Sequence, residues 1–250
     1  MSENKASKTK VTVVFPAKNE ESTIEGCIKA AKESKYNPKI VVADGFSGDD
    51  TRKIAEELGA EIILPEKRMH PGKGIAMVTA LKKILADKPD IILFLDADIR
   101  NLTSEWVDKL VDPVVEDGYD MARGQYLRAP GDAPVTKLVA RPLLGTFFPE
   151  ISYFDQPLSG EVAAKSEVWE NLLKRNPPDG WGIDAWVLIE TATLGYNIRE
   201  IFLGFKEHIS FSHYTEDVVK LSKMSEQVAL TIIKEAIKHH RIDNVENASV

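Results

Sequence analysis

The sequence contains a single cysteine, Cys27. An internal disulfide is therefore excluded, and a reducing compartment, the cytoplasm, is the expected home. Cys27 falls in a helical pattern and reads as a packing residue rather than a nucleophile. No apolar run approaches the roughly 20 residues that cross a bilayer, so no membrane span is expected. Positive charge is scarce: 32 Lys and Arg stand against 39 Asp and Glu, a net charge of −7. That balance excludes a general nucleic-acid binder, which needs a basic face. It leaves room for a small anionic substrate held by a few local cations. Internal repeats, low-complexity linkers and a G-x-x-x-x-G-K-[ST] phosphate loop are all missing. Met1–Lys10 is polar and lysine-rich and lacks the apolar core of a secretory signal. It reads as a short disordered lead, and the tail after Arg241 reads as equally loose.

What remains is enough for one large domain. With 43% hydrophobic residues in 250, the chain can bury a sizeable core. Strands are expected at Val11–Phe15, Ile40–Ala43, Ile62–Leu64 and Ile91–Leu95. Helices are expected from the capping-box spacing Ser22-Thr23-Ile24-Glu25 to Lys32, and over Thr51–Leu58 and Gly74–Leu85. This alternation predicts an α/β fold with a mostly parallel sheet covered by helices. The second half breaks the rhythm. Strands are expected at Met121–Leu127, Val162–Ala164 and Ile198–Phe202. Helices are expected within Val135–Phe148, after Ser166 as N-cap, over Ile183–Leu194, and over Val218–His240. The apolar stripe of that last helix serves equally as core or as the seam of a homodimer.

In open α/β sheets, ligands sit beyond the carboxyl ends of the strands. Four polar clusters fall there: "FPAKNEES", "ADGFSGDDT", "HPGKG" and "LDADI". Asp96 and Asp98 in the last share one face of an extended segment. Two carboxylates facing one way repel unless a cation lies between them. Oxygen-only ligation suits Mg²⁺ or Mn²⁺ carrying a substrate diphosphate. Lys73, between two glycines, can pair with a phosphate. Asp44 could accept hydrogen bonds from a base or ribose, with Pro16, Ala17 and Glu20 lining the same pocket.

These motifs, in this order, resemble nucleotide-sugar glycosyltransferases of the GT-A fold. "VTKLVARPLL", "FPEISYFDQPLSGE", "GWGID" and "LGFKEH" further resemble the glucosyl-3-phosphoglycerate synthases and their mannosyl relatives. The resemblance covers about residues 11–215, with a donor half to about 128, an acceptor half to 215, and a C-terminal helix at 216–240. It implies a metal-dependent retaining transfer of glucose or mannose from a UDP- or GDP-sugar to 3-phosphoglycerate. It implies that Asp98, with Asp96 nearby, and His208 hold the metal. Pro16, Ala17, Glu20, Asp44, Gly45, Lys73, Asp96, Ala97 and Asp98 would bind the donor. Asp184 would hold donor-sugar hydroxyls where relatives commonly carry Glu, and it joins Lys73 and Leu158 as the catalytic set. Leu158–Glu161 would line the space beside the anomeric carbon. Val135, Thr136, Arg141 and Lys206 would face the acceptor. Pro134 stands where the family's acceptor loop carries an arginine, which leaves Arg128 or Arg141 to replace it. That departure keeps open a different acceptor, such as a polyol, a phosphodiester solute or a lipid phosphate. A non-catalytic sugar-nucleotide binder is the remaining alternative.

Overall fold

The computed structural model describes residues 9–66, 72–129, 131–208 and 214–242, with only the backbone described for 214–217. Most of the expected lead and tail, and His70 and Pro71 of the "HPGKG" cluster, lie outside the described residues. The chain runs β1 (Val11–Ala17), α1 (Ile24–Lys32), β2 (Lys39–Asp44), α2 (Thr51–Glu57), β3 (Glu61–Ile63), α3 (Lys73–Ile84), β4 (Ile91–Phe94), α4 (Ser104–Val115) and β5 (Met121–Leu127). An excursion follows, with a π turn at Thr136–Ala140 running into α5 (Arg141–Phe147). The order ends β6 (Val162–Lys165), α6 (Ser166–Leu173), α7 (Ile183–Thr193), β7 (Ile198–Phe205) and α8 (Tyr214–Lys238).

The seven strands form one sheet in the order β3-β2-β1-β4-β6-β5-β7. Only β6 runs antiparallel to its neighbours, with Phe94 opposite Val162 and Arg123 opposite Val162. This single reversal brings the start of β6 to the edge where β1, β2, β4, β5 and β7 end. Strand alternation divides the core between the two faces. Val13, Phe15 and Leu93 pack with α1 and α4, while Val14, Ile92 and Phe94 pack with α3, α6 and α7. Burial on both faces explains the unbroken apolar runs of β1 and β4. A third cluster joins α5, α7 and α8 through Leu144, Leu188, Val228 and Ile232.

The predicted fold class and nearly all predicted elements are present. Three local readings need correction. Helix α4 was not among the predicted elements, although Trp106, Val107, Leu110, Val111 and Val114 recur at helical spacing and are buried. Pro113 lies in its last turn, where few helical bonds remain to be lost. The capping box does not form: Thr23 is the N-cap, without a side-chain cap bond, and Glu25 reaches forward to Lys29 at 2.6 Å. Ser166 is the first residue of α6, not its cap, and its hydroxyl donates to Pro89 O at 2.6 Å.

Candidate active site

The first two loops are tied to each other before any ligand is considered. Glu20 N donates to Thr51 Oγ1 at 2.8 Å, Asn19 N to Ser47 Oγ at 2.9 Å, and Gly48 N to Asn19 Oδ1 at 2.9 Å. Gly45 N donates to Ala17 O at 2.8 Å, which seats Pro16, Ala17 and Gly45 side by side across β1 and β2. Asp44 is fully buried. Its Oδ1 accepts from Ser47 N at 3.1 Å, and its Oδ2 is paired with Arg52 at 2.7 Å. The structure therefore gives Asp44 a turn-building role; the expected bond to a base has to share an enclosed carboxylate.

"GKG" works differently from the sequence reading. A Cβ on Gly72 or Gly74 would overlap the carbonyls of Asp179 or Pro178. The glycines therefore admit the 178–180 loop, with Ile75 N donating to Asp179 O at 3.0 Å. That loop is seated in turn on α8. Gly180 abuts Gln227 and Gly182 abuts Thr231, and Trp181 N donates to Gln227 Oε1 at 2.9 Å. The stack carries Asp184, in the first turn of α7, to Lys73 at the start of α3.

At the centre lies a row of alternating charges. Lys73 Nζ is 2.8 Å from both Asp184 Oδ2 and Asp96 Oδ1. Lys206 Nζ is 3.0 Å from Asp96 Oδ2 and 2.6 Å from Glu161 Oε1. Burial works against both ammonium groups, but the flanking carboxylates outweigh it and hold both lysines above their ordinary pKa. Burial also opposes the Asp96 charge, yet Lys206 and Lys73 keep this carboxyl well below the usual range. Burial pushes the Asp184 carboxyl up to about 6 against the pull of Lys73. Glu20 is pushed up to about 7 by burial and by the neighbouring Asp98 charge.

Asp98 has no such partner. Its Oδ1 is buried with nothing to bond, and the same holds for His208 Nδ1. The two residues are neighbours, because Ile99 and His208 form an isolated antiparallel bridge. Burial and then Arg128 push His208 down to about 4, leaving the neutral imidazole that metals bind. Burial raises the Asp98 carboxyl against the pull of Lys206, and Asp96 and Glu161 add to the rise. An orphaned carboxylate oxygen and a neutral imidazole fit a divalent cation. Both oxygens of Asp96 are taken by lysines, which leaves Asp98 and His208 as the expected ligands with an atom open to an ion. Ala97 is buried between the two aspartates.

The acceptor residues divide. Val135 and Thr136 are buried where Pro134 opens a helical turn that widens into the π turn. Lys206, expected at the acceptor, is enclosed at 1% exposure within the charge row. Arg141 sits apart, its guanidinium 3.8 Å from Asp155. Arg128 is the arginine beside the metal candidates. It lies 3.2 Å from His208 Nε2, donates to Tyr126 Oη at 2.9 Å, and stacks over the Tyr126 ring.

Arg123 was missed by sequence reasoning. It is fully buried in β5, and its NH2 donates to Pro157 O at 3.0 Å and Ser159 O at 3.2 Å, on either side of Leu158. Its signal was a charge inside an otherwise apolar strand. Gly160 in the same loop abuts Asp96, with no space for a Cβ. Cys27 is buried as expected. Burial and the Asp98 charge push its thiol up to about 12, so it is no nucleophile.

Comparison with known proteins agrees with this geometry. Residues 12–165 match the model of "Glycosyl transferase family 2". The glucosyl-3-phosphoglycerate synthase of Mycobacterium tuberculosis is 34% identical over 92% of this chain and 74% of its own. The synthase of Petrotoga mobilis is 34% identical over 94% of this chain and 75% of its own. A crystal structure of the M. tuberculosis synthase with Mn²⁺, UDP-glucose and phosphoglyceric acid superposes with a TM-score of 0.81. It is 33% identical and covers 94% of this chain and 82% of that one. The chain accordingly belongs to glycosyl transferase family 2 and is a GT-A fold glycosyltransferase, with the glucosyl-3-phosphoglycerate synthases among its relatives.

Proposed function

We propose that the protein is a metal-dependent, retaining glucosyltransferase that moves glucose from UDP-glucose to the 2-hydroxyl of 3-phosphoglycerate. The observation that carries this reading is the buried, unbonded Oδ1 of Asp98 and Nδ1 of His208, on segments joined by the Ile99–His208 bridge. Mg²⁺ or Mn²⁺ held by Asp98 and His208 would neutralise charge on the leaving diphosphate. Lys73 meets the same diphosphate from the start of α3, exchanging a carboxylate partner for a phosphate. Asp184 then accepts hydrogen bonds from the donor-sugar hydroxyls. Leu158 lies beside the anomeric carbon, and the acceptor hydroxyl attacks from the face of the leaving group. A diphosphate oxygen takes the acceptor proton.

Pro134 removes the arginine that the family's acceptor loop carries. Arg128, held by Tyr126 and His208, takes its place in this reading. The free N–H groups of the Val135–Thr136 turn add an anion site. Pro134 is also the observation that favours the second reading, in which the donor chemistry is the same and the acceptor is another small phosphate or polyol.

The test is nucleoside diphosphate release from UDP-glucose or GDP-mannose with Mn²⁺ or Mg²⁺, with and without 3-phosphoglycerate. Release that depends on phosphoglycerate, with a retained anomer by NMR, is expected. Arg128→Lys should raise the phosphoglycerate KM about tenfold, because a point charge replaces a bidentate fork, and Arg141→Ala should not. Donor binding without release moves the acceptor to the second reading. An inverted anomer removes the retaining mechanism.

A further inference from the structure

Two side chains of α1 that the reading above does not use both end on the turn carrying Asp98. Thr23 Oγ1 donates to Ala97 O at 2.7 Å. Cys27 Sγ donates to Ile99 O at 3.2 Å and lies 3.6 Å from Ala97 O. The first carbonyl belongs to the peptide entering Asp98, and the second to the peptide leaving Ile99. Ala97 and Ile99 are both buried, so neither carbonyl can turn to bulk water for a substitute partner. The other sides of the turn are held by backbone. Leu95 N donates to Val14 O at 3.0 Å, Arg100 N donates to Glu207 O at 2.8 Å, and Ile99 bridges His208. Just beyond the turn, the Asn101 side-chain amide donates to Phe205 O at 2.7 Å and accepts from Glu207 N at 2.9 Å. On the α1 face, Thr23 and Cys27 supply the side-chain bonds. The Thr23 hydroxyl also lies 3.3 Å from Glu20 O, and it accepts no cap bond from α1.

We propose that Thr23 and Cys27 are positioning residues which fix the peptide entering Asp98 and the peptide leaving Ile99, and so aim the unpartnered Asp98 carboxylate oxygen at the cation shared with His208. The inference rests on the Asp98–His208 reading of the metal. A carboxylate whose ligating oxygen has no protein partner takes its direction from its own backbone. Loss of groups that orient a ligand costs roughly 10–100-fold in metal affinity. The hydroxyl is the stronger donor, so Thr23 carries the larger share, and the thiol, a weak donor, the smaller. Both residues also pack in the core, so donor and packing effects must be separated by paired substitutions.

The experiment titrates Mn²⁺ into the full chain with UDP present, reads free Mn²⁺ by electron paramagnetic resonance, and follows melting of the metal-free protein. Thr23→Val keeps the shape and removes the donor; about tenfold weaker Mn²⁺ binding is expected. Thr23→Ser keeps the donor and loses a methyl, and should bind within about twofold of the native chain. Cys27→Val should weaken binding about threefold, and Cys27→Ser should not weaken it. Should Thr23→Val fail to fold, the two Cys27 variants carry the test. Native Mn²⁺ affinity in the valine variants overturns the inference, as does a loss that follows size rather than the donor. Asp98→Asn run alongside separates the two levels. If it loses Mn²⁺ while the valine variants keep it, the inference alone fails. If it keeps Mn²⁺, the metal reading falls and takes the inference with it.

Discussion

On the β1–β2 side of the cleft, loops are joined mostly by hydrogen bonds of short polar side chains and backbone, such as Thr51 with Glu20 N and Asn19 with Gly48 N. On the β5–β7 side, the work falls to buried charge. Arg123 and Glu161 are completely enclosed, Lys206 is 1% exposed, and the lysine is paired within the row. The β1–β2 side resembles an ordinary strand-end turn repeated twice. The β5–β7 side buries long charged side chains where an apolar core would be more stable. The difference follows from topology. Parallel neighbours β1 and β2 bring like turns together, whereas the reversed β6 delivers Glu161 against Asp96 and needs a cation between them.

The largest expected consequence is at Lys206. Lys206→Met leaves Glu161 and one oxygen of Asp96 facing each other in a closed space. Removing one member of a buried ion pair costs about 3–5 kcal/mol. Urea unfolding of the metal-free protein should show that loss, and adding Glu161→Gln should recover most of it. A Lys206→Met protein as stable as the native chain would mean that the row is not what holds this side together.

Next in size is a charge cluster behind the site, where α7 meets α8. Glu190 is fully buried and accepts from Lys238 Nζ at 2.7 Å, pairs with His239 Nε2 at 2.7 Å, and is paired with Arg175. Glu190, Glu235 and His239 lie close enough to hold a metal ion. Arg175 and Lys238 already balance the charge there without one. Burial, followed by the hydrogen bond to Glu190, pushes Glu235 up to about 7. Glu190 is drawn down to about 2, because bonds from Glu235, Lys238, His239 and Arg175 outweigh its burial. The signs are opposite. The Glu235 contribution is complete below its ordinary value of 4.5 and is lost as pH rises through about 7. The Glu190 contribution is complete above 4.5 and is lost only as pH falls towards 2. Between pH 5 and 8 the raised carboxyls of Glu235, Glu20 and Asp184 all lose stability as pH rises, while the depressed His208 works the other way below its ordinary value of 6.5. The Glu235 share of the fall should be about 1–2 kcal/mol after allowance for solvent screening. Glu235→Gln mimics the protonated acid and should make the profile shallower by that share in urea unfolding at pH 5, 6, 7 and 8. An unchanged slope in that variant would assign the pH dependence to another group.

The same contrast decides what could be read from the sequence. The strand-end turns were legible because their signals are local: an apolar strand followed at once by a polar cluster marks the ligand edge of a parallel sheet. Asp96 and Asp98 were found that way, and Lys73 from the two glycines that flank it. Burial of Lys206 was not legible, since its partners are 110 and 45 residues away. Arg123 likewise bonds loop carbonyls 34 and 36 residues on. Periodicity records which face a residue occupies and says nothing of which distant carboxylate neutralises it. The chain also needed "GKG" to admit another backbone rather than a ligand, and a glycine pattern reads identically in both cases.

The smallest expected effect sharpens that lesson at the start of α1. Ser22-Thr23-Ile24-Glu25 has the spacing of a capping box, and a working cap is worth roughly 0.5–2 kcal/mol. In the fold, Ser22 is exposed and precedes the N-cap, while Glu25 pairs forward with Lys29. The hydroxyl with consequences is the next one along, Thr23, drawn away to Ala97 O across 74 residues. Ser22→Ala should therefore change the unfolding free energy by less than about 0.5 kcal/mol, as at an ordinary surface site. It should also leave Mn²⁺ affinity untouched, although it deletes the residue that the local motif names as the cap. A loss above about 1 kcal/mol would restore Ser22 as a working cap and show that the local motif, not the tertiary turn, sets the start of α1.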